Sequence, residues 1–526
     1  MLKKTANLFT TAYLLLIFCV YPFYVERGYE NIGEAKNRFF LYISISAFVI
    51  LGICAFLYLL KALWDILLQK KVYLIDWNRV SATDLFVLLY ATFVFLSYVF
   101  SEYRDEALWG TEGWYMGLLP LLLLCGLYFF ISRMWNGDIR IFYVLMASSA
   151  LVFLLGICNR FSFYPIKFEV TQPDFVSTLG NINWFCGYLS VVSPVGIGMF
   201  VLQDKKQEAS WRKVYYGKKW IFGSYAMITF TAGFCQGSNS VFLWFAALFG
   251  ICLWICLEKQ EWIKNWLLLV ILWGASAQLV RFFRWLFPGK YNYDINNLCG
   301  YFTGSSVTVW IVAAGVIAYV IFWRKEKRDY LVEKRSVIRK AMIVLVFSLL
   351  VAWLLLSLLN TVWGLSFLNK STAFQGLFLF DESWGNGRGA AYSVGIQILK
   401  EFPLIHKLFG AGPDCFACCA YAMPELSDML YRYFGSARLT NAHNELLTCL
   451  VNTGIFGFIF YLGIFVSFII GSGKKRKKNP VLYVLSLSVI CYFVHNMVSF
   501  AQVLNFPYLF MFAGMGRYLQ KICQSR

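Results

Sequence analysis

The chain has little charge and few of the side chains that metal or redox chemistry needs. Of its 526 residues, 14% are charged and three are histidine, namely His406, His443 and His495. No His/Cys/carboxylate cluster has zinc spacing, and a Walker loop, a dinucleotide fingerprint and a Gly-x-Ser-x-Gly elbow are all missing. ATP-driven and metal-hydrolytic chemistry therefore have no support, and we expect no cofactor and no metal. Internal repeats, Pro- or Ser-rich linkers and low-complexity tracts are also lacking.

What the chain has is apolar surface. It is 60% hydrophobic and 19% aromatic, with a mean hydropathy of +0.61. A soluble domain is about 45–50% apolar and about 25% charged. This composition excludes a soluble enzyme, a secreted disulfide scaffold and a disordered tail, and leaves a polytopic membrane protein. The fifteen cysteines mostly lie inside apolar runs, where Cys acts as a small hydrophobe.

A spanning helix needs roughly 20 apolar residues. About fourteen runs qualify: 7–25, 39–60, 82–100, 115–132, 141–158, 184–202, 220–235, 240–257, 266–283, 306–323, 341–360, 446–470, 481–499 and 505–519. The expected fold is an all-α helical bundle of about 14 transmembrane helices, one membrane domain over 1–526. Lys3 and Lys4 before the first run imitate a secretory signal, but the run is long and reads as a retained span.

The formal charge of +19 sorts by topology. With both termini cytoplasmic, 32 Lys and Arg fall inside and 15 outside. The densest clusters, Lys205–Lys219, Arg324–Lys340 and Lys474–Lys478, all fall inside. The basic excess thus reads as an orientation signal at a lipid bilayer and not as a nucleic-acid surface.

This topology makes the 85 residues from Thr361 to Glu445 an external loop between helices 11 and 12. The loop holds Trp363, Phe367, Phe374, Phe378, Phe380, Trp384, Tyr392, Ile396 and Leu399, too much apolar side chain to stay solvated. Arg388 to Phe402 reads as one helix, with Tyr392, Gly395, Ile396 and Leu399 on a shared face, stopped by Pro403 and the Gly410-Ala411-Gly412-Pro413 turn.

His443 is the most suggestive candidate. It stands in Thr440-Asn441-Ala442-His443-Asn444-Glu445, where a spanning helix begins with Asn441 as its expected N-cap. A neutral imidazole there suits a general base. An interfacial His bonded to a loop carbonyl is the competing structural reading. Arg388, in Gly385-Asn386-Gly387-Arg388-Gly389, offers a guanidinium fork for phosphate oxygens. Arg160, Arg281, Arg284 and Arg438 are further external cations. His495 lies late in the thirteenth run. Asp381 and Glu382 are adjacent and do not form a glycosidase-like pair. Cys415, Cys418 and Cys419 read as packing residues or one disulfide.

Four segments resemble the O-antigen ligase family and the related O-antigen polymerases. His443-Asn444-Glu445-Leu446-Leu447 followed by Asn452-Thr453-Gly454-Ile455-Phe456-Gly457 is similar to a His-Asn-x-x-Leu segment leading into Gly-x-x-Gly. Arg388 through Pro403 to Phe409-Gly410-Ala411-Gly412-Pro413 resembles an Arg-bearing loop helix ending in a Gly-x-Gly-Pro turn. Gly180-Asn181-Ile182-Asn183 resembles a Gly-Asn-Pro-Asn entrance to a span, with Ile182 in place of Pro. The fourth lies around Trp109-Gly110 and Gly117. One departure is Cys235-Gln236-Gly237-Ser238-Asn239-Ser240, which has no Arg where the family has one.

The resemblance implies a GT-C-like, metal-independent glycosyltransferase of cell-surface polysaccharide assembly in the bacterial cytoplasmic membrane. It would move a glycan from a polyprenyl diphosphate donor to a sugar hydroxyl on a glycan or glycolipid acceptor. His443 and Arg388 would be catalytic, with Asn444, Arg160, Asn183, Arg438 and Arg281 binding substrate. A lipid-linked oligosaccharide flippase or other transporter is the alternative; repeats and midplane charge would favour it.

Overall fold

A chain without water around it must satisfy its backbone internally, and a helix does so within one segment. The computed structural model describes residues 2–69, 80–168, 171–203, 219–324, 330–365, 368, 378–476 and 478–525. Each of the fourteen apolar runs coincides with a helix there. The one strand pair among the described residues joins Phe175–Val176 to Gly180–Asn181. Among the described residues, nine helices are long and apolar enough to cross a membrane. Three more, Leu118–Met134, Val241–Cys256 and Val481–His495, are apolar but shorter. The protein is thus an all-α, multi-pass membrane protein. Parts of the three basic clusters lie outside the described residues, as do Phe367 and Phe374.

Packing sorts the helices. Ile182–Val201 is buried along almost its whole length and forms the middle of the bundle. Arg335–Trp363 carries exposed Ile343, Leu345, Phe347, Leu350 and Leu354, apolar on every side. A helix with that surface is stable only against lipid. Asp84, in the first turn of Ala82–Val99, forms a capping box with Ser81. The same buried carboxylate takes Arg133 at 2.9 Å, Arg517 Nε at 3.1 Å and the Tyr128 hydroxyl at 2.9 Å. That cluster pins three spans together at one end of the bundle.

The long loop folds on itself. Its described part holds helices at Trp384–Glu401, Leu404–Phe409, Phe416–Ala422 and Pro424–Phe434. They enclose a separate apolar core of Ala391, Val394, Ile398, Phe416, Leu426 and Leu430. The expected shared face of Trp384–Glu401 is only partly inward: Gly395 is buried and Leu399 packs on this core. Ile396 is 49% exposed, whereas Val394 and Ile398 are fully buried. Cys415, Cys418 and Cys419 are free thiols packed in this core.

Candidate active site

The loop is attached to the bundle by a kink. Within Glu445–Lys475, Gly454 has φ +66° and ψ −173°, a conformation open essentially to glycine alone. The kink turns the Val451 and Asn452 carbonyls outward. They accept the Ala411 and Gly412 amides at 2.9 and 3.0 Å, and Ser97 Oγ joins Asn452 at 2.8 Å. A Cβ on Gly454 would lie 2.4 Å from the Leu408 carbonyl. The Gly-x-Gly-Pro turn and the Asn452–Gly457 segment are thus two halves of one joint. Asp414 adds the 110–117 loop. Its Oδ2 accepts the Thr111 and Met116 amides at 2.7 and 3.0 Å. Burial raises its pKa to about 7.

Arg388 follows three left-handed residues, Gly385, Asn386 and Gly387, so its regular helix starts at the arginine itself. Its Nη1 donates to the Gly385 carbonyl at 2.7 Å and its Nε to the Val498 carbonyl at 3.1 Å. Of five N–H donors, two are used, which leaves three for an anion. No carboxylate pairs with it among the described residues. Burial lowers its pKa from the ordinary arginine value.

His443 does not sit in the first turn of the spanning helix. That helix starts at Glu445, and its N-cap is Asn444, whose Oδ1 accepts the Leu447 amide at 3.0 Å. The Asn441 side chain instead accepts the His443 amide at 2.9 Å. It holds His443 at φ +49°, a left-handed position that costs a non-glycine residue about 1–2 kcal/mol. The His443 ring stands edge-on to Phe500, with centroids 5.2 Å apart, and its Nδ1 is buried without a partner among the described residues. Burial and then the Arg388 charge push its pKa down to about 3. The imidazole is neutral and senses the guanidinium.

A third segment supports both groups. The stretch after Val481–His495 gives its Met497 carbonyl to Tyr392 Oη at 2.9 Å and to Asn444 Nδ2 at 3.0 Å. Val498 holds Arg388, and Phe500 packs on His443. Behind it lies Glu445, buried and bonded by the Tyr461 hydroxyl, the Tyr492 hydroxyl and Asn496 Nδ2. His495 Nδ1 lies 2.8 Å from Asn496 Oδ1, and its Nε2 lies 3.2 Å from Ser240 Oγ. Ser240 meets Ser238, which donates to Asn183 at 3.1 Å. A polar chain thus runs from Asn183 to Glu445. Beside it is a cavity of about 50 Å³ lined by Trp114, Asp414, Asn441, Glu445 and Phe500. It is far below the roughly 300 Å³ of an ordinary ligand pocket.

The structure brings His443, Arg388 and Asn444 together and links Asn183 through hydroxyls. Both ends of the Asn444 amide are taken by protein. Arg160 is fully buried and donates to the Cys235, Gln236 and Pro173 carbonyls. Its Nε and Nη2 reach the Arg-less turn, while its Nη1 is taken by Pro173, so each of the three nitrogens has a carbonyl partner. Arg438 is exposed over the Tyr421 ring, 5.9 Å away. Arg281 and Arg284 line a second cavity. The Met497–Phe500 platform escaped sequence reading because backbone carbonyls carry it; only the neighbouring His495-Asn496 pair hinted at it.

Residues 297–462 match the family model described as O-antigen ligase. Over that segment the chain is similar to the O-antigen ligase family. The matched segment contains Arg388, the Gly-x-Gly-Pro joint, His443 and the kink at Gly454, while Asn183 and the 496–500 platform come from outside it. No curated protein matches the chain.

Proposed function

We propose that the protein is a metal-independent glycosyltransferase acting at the outer face of the bacterial cytoplasmic membrane. The donor is a glycan on a polyprenyl diphosphate, and the acceptor is a sugar hydroxyl. On the charge-based reading of fourteen spans with both termini cytoplasmic, the folded loop lies on the outer side. One observation carries the reading. Arg388 and His443, 55 residues apart, are both held by the same short segment, a guanidinium with free donors beside a neutral imidazole.

The acceptor oxygen attacks the anomeric carbon of the donor as the bond to the diphosphate oxygen breaks. His443 takes the hydroxyl proton. Arg388 stabilises the charge that grows on the departing diphosphate, where a fixed donor in a dry site is most effective. The energy stored in the lipid-linked donor makes ATP unnecessary. The low pKa of free His443 is consistent with this order of events. A bound diphosphate offsets the Arg388 charge and raises the basicity of the imidazole when the acceptor is present.

The test is reconstitution in lipid nanodiscs with a defined lipid-linked oligosaccharide, with and without chelator, followed by product sizing. Transfer that survives chelation supports the reading. A ladder identifies a repeat-unit polymerase, and one transfer to a different acceptor a ligase. Movement of intact donor across a vesicle membrane without glycan transfer would overturn it.

A further inference from the structure

The second cavity, about 610 Å³, opens where Gln260–Leu286 ends. Arg281 and Arg284, one helical turn apart, share its wall with Trp285, Tyr291, Tyr293 and Thr303. Like charges at that spacing repel. Neither has a carboxylate partner among the described residues, although Asp294 also lines the cavity. Arg284 is held in place by the Tyr291 ring, 5.6 Å from its guanidinium carbon, and by Thr303 Oγ1 at 3.4 Å. Arg281 is exposed, so its guanidinium is free to turn inward. Two arginines against one lining carboxylate leave this wall net positive, which suits an anion.

The mouth of the cavity indicates what carries the anion. Trp285 and Phe287, which line it, are 74% and 47% exposed, and Phe282 and Leu286, their neighbours in sequence, are 48% and 47% exposed. Aromatic side chains at the end of a spanning helix sit at the headgroup level of a bilayer. A phosphate between the two arginines would then have its lipid chains beside this apolar rim. The back wall leads toward the transfer site. Tyr293 lies under the Arg160 guanidinium at 4.4 Å, and the Tyr291 hydroxyl donates to the Cys235 carbonyl at 3.3 Å. The turn from Cys235 continues to Ser238 and Ser240, which touch Asn183 and His495.

We propose that this cavity is a binding site for a phosphate-bearing lipid headgroup, distinct from the His443 and Arg388 centre. The lipid is either an anionic phospholipid of the bilayer or a polyprenyl diphosphate. The inference needs the membrane setting but not the transfer reaction. The experiment is native mass spectrometry of the purified protein titrated with phosphatidylglycerol, undecaprenyl diphosphate or inorganic pyrophosphate. Variants are Arg281→Gln, Arg284→Gln and His443→Ala. We expect lipid binding to weaken at least tenfold in Arg281→Gln, whose exposed side chain leaves the fold untouched, and to persist in His443→Ala. Preference between the two lipids identifies the source. Equal lipid retention by wild type and both arginine variants, or pyrophosphate binding as tight as either lipid, would overturn the proposal.

Discussion

Arg388→Lys separates a planar fork from a point charge. The guanidinium is fixed by Val498 at 3.1 Å and Gly385 at 2.7 Å, with three N–H groups left over. Lysine keeps the charge but loses the Nε contact and the parallel pair of donors that matches a phosphate. A hydrogen bond to a charged group contributes about 1.5–3 kcal/mol. Losing one from the transition state lowers kcat/KM roughly 10- to 150-fold. The assay is steady-state transfer in nanodiscs with the donor concentration varied. Because the diphosphate gains charge only as the bond breaks, most of the loss should appear in kcat. A variant that melts with the wild type and transfers within about threefold of its rate would remove Arg388 from the chemistry.

The pH profile is equally specific. With a conjugate-acid pKa of about 3, free His443 is neutral at any pH well above that value. Donor kcat/KM should stay flat from pH 7.5 to 5, where an ordinary histidine base would lose about 30-fold. Arg388→Gln removes a charge that lowers this pKa, so the acid limb should move to higher pH; an unmoved limb contradicts the coupling. Gly454→Ala puts a Cβ 2.4 Å from the Leu408 carbonyl in a glycine-only conformation. It should cost about 1–3 kcal/mol or more, read as lower thermal stability in detergent. Asp84→Asn leaves Arg133 and Arg517 without their shared carboxylate. Breaking a buried pair costs about 3–5 kcal/mol, and folded yield should fall at any pH where the carboxylate is ionised.

The bundle was legible because length and hydropathy alone define a span. All fourteen apolar runs lie in helices, although their ends differ by several residues where helices such as Ile32–Gln69 run beyond the apolar stretch. The described part of the loop was legible as folded from its aromatic content, but the side chains that fill its core were not. Of the residues expected on one shared face, Gly395 is buried and Leu399 packs partly buried on the loop core, but Ile396 is exposed and the core is filled by Val394 and Ile398. Asn441 looked like the cap, yet Asn444 caps and Asn441 holds the His443 amide. Both residues suit a cap, and only the tertiary path of the chain decides between them. Arg160 was chemically indistinguishable from a substrate-binding arginine until its carbonyl partners, up to 76 residues away, were visible.

The central claim is tested most directly by His443→Ala in the nanodisc transfer assay. The account predicts a folded protein that melts with the wild type, still binds the lipid-linked donor and forms no transfer product. Transfer by this variant at a rate near the wild type's would contradict it.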